Sequence, residues 1–175
     1  GLVGRDRFRY GGAAFGNVSA RLSSMSDPAR PSFVVSGSQT GGERRLERSQ
    51  CAVVTDWSLA ENSVVSFGEC LPSSEALTHA TLYEVVPEAQ YVFHVHSPEI
   101  FGHAGALGLS CTDVTAGYGT PAMAQEVARL CRSGQETSAG VLVMGGHEDG
   151  VVAYGQTAEA AAGALVSLLA RARSL

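Results

Sequence analysis

The segment Gln90-Tyr91-Val92-Phe93-His94-Val95-His96-Ser97-Pro98 restricts this chain more than any other. Its β-branched and aromatic residues favour an extended strand. Side chains two apart on a strand leave the same face, so His94 and His96 point the same way. Two imidazoles so placed can share one metal ion. Glu75 lies upstream in Pro72-Ser73-Ser74-Glu75, and His147 lies downstream in Gly145-Gly146-His147-Glu148-Asp149-Gly150. Three imidazoles and one carboxylate suit a catalytic divalent site, zinc above all. The His-x-His pair alone is a weak signal, equally explained by two hydrogen-bonded strand histidines; the four residues together are far more specific.

Composition narrows the chemistry further. A chain of 175 residues, 45% hydrophobic and 17% charged, predicts one domain over 1–175 with a sizeable core rather than a disordered segment. The net charge of −5 argues against a nucleic-acid partner, and Arg44, Arg45 and Arg48 read as a solvated face. No apolar run approaches the roughly 20 residues of a spanning helix, so no membrane partner is expected. The start, Gly1 to Arg7, carries no signal-peptide core, which predicts a cytoplasmic location. It also lacks an initiator Met, so a preceding segment is expected to be missing. All 12 basic residues are Arg, and the chain contains no lysine. Schiff-base catalysis, covalent pyridoxal phosphate and a Walker-type phosphate loop are thereby excluded. Electrophilic help must come from a metal, from Arg or from backbone N–H groups. Cys51, Cys70, Cys111 and Cys131 show no Cys-x-x-Cys spacing and read as free thiols.

Residues 10–19 read as a glycine-rich loop, with a strand beginning at Ala20-Arg21-Leu22 and a turn at Asp27-Pro28. Strands are predicted over 32–36, 51–55 and 63–67, the last two joined by a turn near Glu61-Asn62. Ser73 or Ser74 caps a helix running to about Val86, where Pro87 ends it. On that helix Glu75, His79 and Tyr83 share one face. A strand over 91–96 follows, then a helix opened by Thr120-Pro121 and ending near Cys131. Strands over 140–144 and 151–154 precede a final helix, capped by Thr157, over 158–173. The pattern is α/β: αβα layers with a largely β core between helices.

A divalent ion on His94, His96 and His147 keeps a position open for substrate, where it acts as a Lewis acid on a carbonyl or an enediolate. Glu75 is the candidate for moving a proton nearby. Gly16-Asn17-Val18-Ser19, Thr40-Gly41 and Ser73-Ser74 offer hydroxyls, backbone N–H groups and a helix start that bind an anion without lysine. Ordinary turns use the same residue types. His79 reads as a supporting histidine that holds Glu75 or a loop, His103 as peripheral, and Tyr83 as a core residue.

These segments together resemble the class II aldolase/adducin family. The resemblance rests on Gly16-Asn17-Val18-Ser19-Ala20-Arg21, Thr40-Gly41, Pro72-Ser73-Ser74-Glu75 with His79 and Tyr83, His94-Val95-His96-Ser97-Pro98, Tyr118-Gly119-Thr120-Pro121, and His147 before Gly150-Val151-Val152. It implies a central, mainly antiparallel sheet between helical layers. It implies that His94, His96 and His147 bind Zn(2+), or Mn, Co or Fe. Glu75 would be the acid/base and a metal ligand when no substrate is bound. Asn17, Thr40, Gly41, Ser73 and Ser74 would surround a substrate phosphate, and a homotetramer would carry its sites at subunit interfaces. The implied activity is a metal-dependent carbon–carbon lyase acting on a ketose phosphate or related hydroxy-keto compound through a metal-stabilised enediolate. Epimerase, dehydratase or decarboxylase activity on the same site is the alternative, and a non-catalytic adducin-like scaffold is the third reading.

The chain departs from the family pattern in several places. The last ligand is followed by Glu148-Asp149 before Gly150, Ala14 stands where a hydroxyl is common, and Ser36-Gly37 competes with Thr40-Gly41 for the same role. The second acid/base is open among Thr112, Asp113, Thr115 and Tyr118.

Overall fold

A computed structural model describes residues 1–22, 30–133 and 139–175. A short pair, β1 (Gly4–Arg5) and β2 (Ala14–Phe15), stands apart. The main sheet is built from β3 (Asn17–Arg21), β4 (Phe33–Ser36), β5 (Cys51–Ser58), β6 (Ser63–Gly68), β7 (Tyr91–His96), β8 (Ser110–Cys111), β9 (Ala139–Val143) and β10 (Gly150–Gly155). Among the described residues its order is β6-β5-β4-β3-β7-β10-β9-β8, and every pair is antiparallel except β8 with β9.

Helices cover both faces. Val92, Leu142 and Val152 point into one core with α1 (Ala76–Val85) and α4 (Pro121–Ser133). Val95, Val143, Val151 and Ala153 point into the other with α2 (Pro98–Gly102), α3 (Ala104–Leu107) and α5 (Ala158–Ala172). This is the expected αβα arrangement around a mainly antiparallel sheet. Strand β10 is buried at every position because both of its faces are covered. Alternation along β7 sends His94 and His96 to the α1 side, with Val92.

The elements follow from local chemistry. Helix α1 is buried from Ala76 through Tyr83, as suits a helix of small and apolar residues wedged between the sheet and α4. Thr157 caps α5 by accepting from the Ala160 N–H at 3.1 Å. Ser97 caps α2 in the same way, with Pro98 in its first turn; this short helix and α3 lack the length that makes a periodic pattern readable.

Three expectations shift. The strand expected from Ala20 begins at Asn17, because Gly16 turns the chain in the left-handed region (φ 78°) and the next residue pairs at once with His94. Helix α1 starts at Ala76, with Glu75 at its cap position; Ser73 Oγ instead accepts from the Glu75 N–H at 3.3 Å. The turn at Asp27-Pro28 lies outside the described residues. Within those residues no helix is long and apolar enough to cross a membrane, and all four cysteines are free.

His79 ties α1 to the sheet. Its Nδ1 lies 2.7 Å from Ser19 Oγ, which also meets the Tyr83 hydroxyl at 2.9 Å, so the ring holds β3 rather than Glu75. Burial lowers its pKa from the ordinary 6.5 to about 3. Above pH 6.5 both folded and unfolded chains carry the neutral ring. Between pH 6.5 and about 3 the unfolded chain takes up a proton that the folded chain refuses, so stability falls with acidification, by up to about 1.4 kcal/mol per pH unit for this group. A His79→Gln variant should show a shallower fall of melting temperature across that window. An unchanged slope would show that the ring is not held neutral.

Candidate active site

The three histidines predicted from sequence come together. His94 sits mid-sheet, opposite Asn17 on β3 and Val152 on β10, while His96 stands opposite Gly150 at the end of β10. His147 arrives on the turn between β9 and β10. The ring centroids are 5.0 Å apart for His94 and His96, 4.9 Å for His94 and His147, and 4.7 Å for His96 and His147. One nitrogen from each lies within 4.8 Å of the others.

The electrostatics suit a cation. Burial, then the neighbouring imidazoles, hold His94 well below its ordinary range. Burial first, and His147 next, lower His96 to about 4; burial lowers His147 to about 4 as well. All three are therefore neutral at pH 7 with a lone pair each, the state a metal ligand requires. His96 Nε2 and His147 Nε2 approach to 2.9 Å, so one of them carries the proton between them or both face a shared cation. His94 Nε2 and His96 Nδ1 are buried with no hydrogen-bond partner. A buried nitrogen without a partner costs about 1–3 kcal/mol, and a bound cation would remove that cost at His94. The donor set fits a divalent ion of the zinc type.

Close backbone approach delivers His147. A Cβ on Gly146 would lie 1.9 Å from the Ala116 carbonyl oxygen, and one on Gly145 would lie 2.4 Å from that of Thr112. The segment from Thr112 to Ala116 is thus pressed against the turn, and Thr112 Oγ1 accepts from the Gly145 N–H at 2.9 Å. Gly150 leaves room for the ring itself, since a Cβ there would lie 2.5 Å from His147 Cδ2.

Glu75 is 2% exposed and lines the same cavity, of about 430 Å³, as the histidines. Its Oε2 accepts from the Thr78 hydroxyl at 2.9 Å and its Oε1 from the Gly119 N–H at 2.9 Å. Burial raises its pKa, outweighing both hydrogen bonds, which is the direction a proton-transfer carboxyl needs. Glu75 stands outside the cluster of converging donor atoms, which consists of the three imidazoles.

Asn17, Ser73 and Ser74 line the cavity; Thr40 and Gly41 do not. Gly37 and Ser38 occupy that wall, the neighbourhood of the competing Ser36-Gly37. Thr40 spends its hydroxyl on the Gly37 carbonyl at 2.7 Å, and Gly41 packs against backbone, where a Cβ would lie 2.3 Å from the Phe15 oxygen. Of the four acid/base candidates, Tyr118 alone lines the cavity, its ring 4.7 Å from that of His147 and its side chain 59% exposed. Thr112 is committed to Gly145 and to Met123 Sδ, and Asp113 and Thr115 bond each other at the surface.

Sequence reading missed Tyr10. Its ring stands edge-on to His96 at 4.5 Å, and its hydroxyl donates to Asp149 Oδ2 at 2.6 Å and accepts from Arg9. Burial, and then the Asp149 carboxylate, raise its pKa to about 12. Tyr10, Gly11 and Gly12 all take positive φ (50°, 65° and 80°), which folds the aromatic back over the site. The available signal was the acidic insertion Glu148-Asp149, which needed a partner; His103 stays peripheral, bonded to the Glu99 carbonyl.

Residues 5–174 match the family model described as Class II Aldolase and Adducin N-terminal domain. Among solved structures, a sugar-phosphate aldolase from Thermotoga maritima superposes with a TM-score of 0.68 at 14% identity, covering 90% of this chain and 82% of that one. L-fuculose 1-phosphate aldolase superposes with a TM-score of 0.62 at 20% identity, covering 90% and 72%. YgbL from Escherichia coli, described by the alternatives aldolase, epimerase and decarboxylase, does so with a TM-score of 0.60 at 20% identity, covering 97% and 82%. These likenesses establish a shared fold. No curated protein sequence matches the chain.

The packing around the turn predicts a contrast between two glycines. Gly146→Ala should destabilise the chain by about 1–3 kcal/mol, because the Thr112–Ala116 segment must move away from a Cβ. Gly163→Ala, in the exposed middle of α5 with nothing near its Cβ, should stabilise by about 0.5–1 kcal/mol. Urea denaturation of both variants measures the difference, and equal stabilities would contradict the close approach.

Proposed function

The chain belongs to the class II aldolase/adducin family, and from that membership we propose that it is a metal-dependent carbon–carbon lyase of the retro-aldol type. Its substrate is a ketose phosphate or a related hydroxy-keto compound. The observation that carries this reading is the placement of three neutral imidazoles and a buried carboxylate of raised pKa on one cavity. Residues 1–175 act in this reading as one catalytic domain.

His94, His96 and His147 hold the cation, which is zinc or another divalent ion such as Mn, Co or Fe. When bound, it supplies a Lewis acid for the substrate carbonyl and the hydroxyl beside it. Glu75 moves the proton at the neighbouring carbon: burial raises its proton affinity, and the Gly119 N–H and Thr78 hydroxyl fix its orientation. Asn17, Ser73 and Ser74, with Gly37 and Ser38, form the polar wall that receives the far, anionic end of the substrate. We place Thr40 and Gly41 behind that wall, as support for it. Tyr118 lines the cavity and is exposed, and Leu71, whose carbonyl accepts from the Ser38 N–H, is exposed as well, which suits a homotetramer whose neighbouring subunit closes the site.

Epimerisation, dehydration or decarboxylation on the same site is the second reading. One observation favours it: of the two carboxylates lining the cavity, Glu75 is buried and Glu148 is exposed, so one buried carboxyl serves the proton transfers.

Two variants and one assay test the proposal. Glu75→Gln should lower turnover by about 10²–10⁴-fold and leave the metal content per chain unchanged. His94→Ala should lose the metal, read by elemental analysis of purified protein. Product analysis on a panel of keto-sugar phosphates separates cleavage from the other outcomes, and undiminished turnover in Glu75→Gln would overturn the role given to that residue.

A further inference from the structure

Asn17 is one of the residues that the family resemblance assigns to a substrate phosphate, yet its amide is already engaged. It starts β3 directly opposite His94 in the ladder, is 7% exposed, and stands with its amide nitrogen Nδ2 3.0 Å from His94 Nδ1. Its amide oxygen Oδ1 and His94 Nε2 are both buried with no partner, and a half-turn of the amide would bring that oxygen to Nδ1. The oxygen and nitrogen of an amide have the same shape, so this contact has two chemically distinct forms. With the amide nitrogen facing the ring, Nδ1 is the acceptor and the imidazole proton sits on Nε2. That nitrogen then has no lone pair to give a cation. With the oxygen facing the ring, Nδ1–H donates to Oδ1 and the Nε2 lone pair is free.

We propose that Asn17 is a positioning residue for His94: its Oδ1 accepts the Nδ1 proton and thereby holds the ring in the tautomer whose Nε2 is the donor. This inference rests on the reading of His94 as a metal ligand. A hydrogen bond of this kind also raises the basicity of the donor nitrogen and stops the ring from turning. The strand supplies the rigidity, since Asn17 cannot slide relative to His94 without breaking the β3–β7 ladder. Ser19, two residues on and on the same face, holds His79 in a parallel manner. The amide N–H₂ then stands where the buried oxygen stands otherwise, on a residue that lines the cavity.

The test uses the metal-free wild-type protein labelled with ¹⁵N-histidine, together with zinc titrations against a chromophoric chelator. The long-range ¹H–¹⁵N spectrum of the wild type near pH 7.5 should show His94 protonated on Nδ1. Asn17→Ala should shift that tautomer towards Nε2–H and weaken zinc binding about 10–100-fold. Asn17→Asp, which can only accept from Nδ1–H, should keep the tautomer and restore most of the affinity. A wild-type ring protonated on Nε2 would overturn the proposal without recourse to any variant, as would an Asn17→Ala protein that binds zinc as tightly as wild type. If His94→Ala retains stoichiometric zinc, the metal-site reading itself fails, and that outcome is distinct from both.

Discussion

The register of β3 and β10 against β7 is the constraint on which the rest of the site depends. His94 is paired on both sides, with Asn17 across one ladder and Val152 across the other, and His96 stands opposite Gly150. A slip of one residue would send both imidazoles to the α5 side, where Val95, Val151 and Ala153 fill the core. The slip would also expose those apolar side chains to the cavity. The hydrophobic pattern that builds two cores therefore aims the two histidines, and the site costs no dedicated scaffold of its own.

The third imidazole and the carboxylate depend on one further segment. Residues 112–119 run across the turn that carries His147 and end against the start of α1. Gly145 and Gly146 let the chain approach within backbone contact. At the far end Gly119, in the left-handed region at φ 64°, presents its N–H to Glu75. One stretch of chain thus holds both the turn behind His147 and the orientation of Glu75. Movement of that stretch would disturb the two together.

Charge around the cavity follows from burial more than from ion pairs. Desolvation lowers the pKa of all three imidazoles, neighbouring imidazoles add to that for His94 and His96, and desolvation raises the pKa of Glu75. Arg9, whose charge acts on His96, bonds Asp149 and the Tyr10 hydroxyl and does not line the cavity. The polar wall opposite consists of hydroxyls, an amide and backbone, with no cationic side chain.

Strand alternation by itself determined that His94 and His96 share a face, and the period of the flanking segments determined the αβα layering. Both follow from short-range geometry that needs no knowledge of partners. The ends of α5 and the whole of β7 were legible for the same reason: their caps and apolar runs are local. Where Asn17, Thr40 and Tyr10 fall was not legible, because each position depends on a positive-φ turn or a cross-strand partner distant in sequence. Asn17 looked like a loop residue and is a strand residue bonded to His94. Thr40 looked like an anion ligand and closes its own turn. Tyr10 carried no motif, yet it reaches Asp149, 139 residues away. Only the tertiary structure decided these contacts, since a hydrogen bond between remote residues is set by how strands and turns pack, and neither residue's neighbours in sequence encode it.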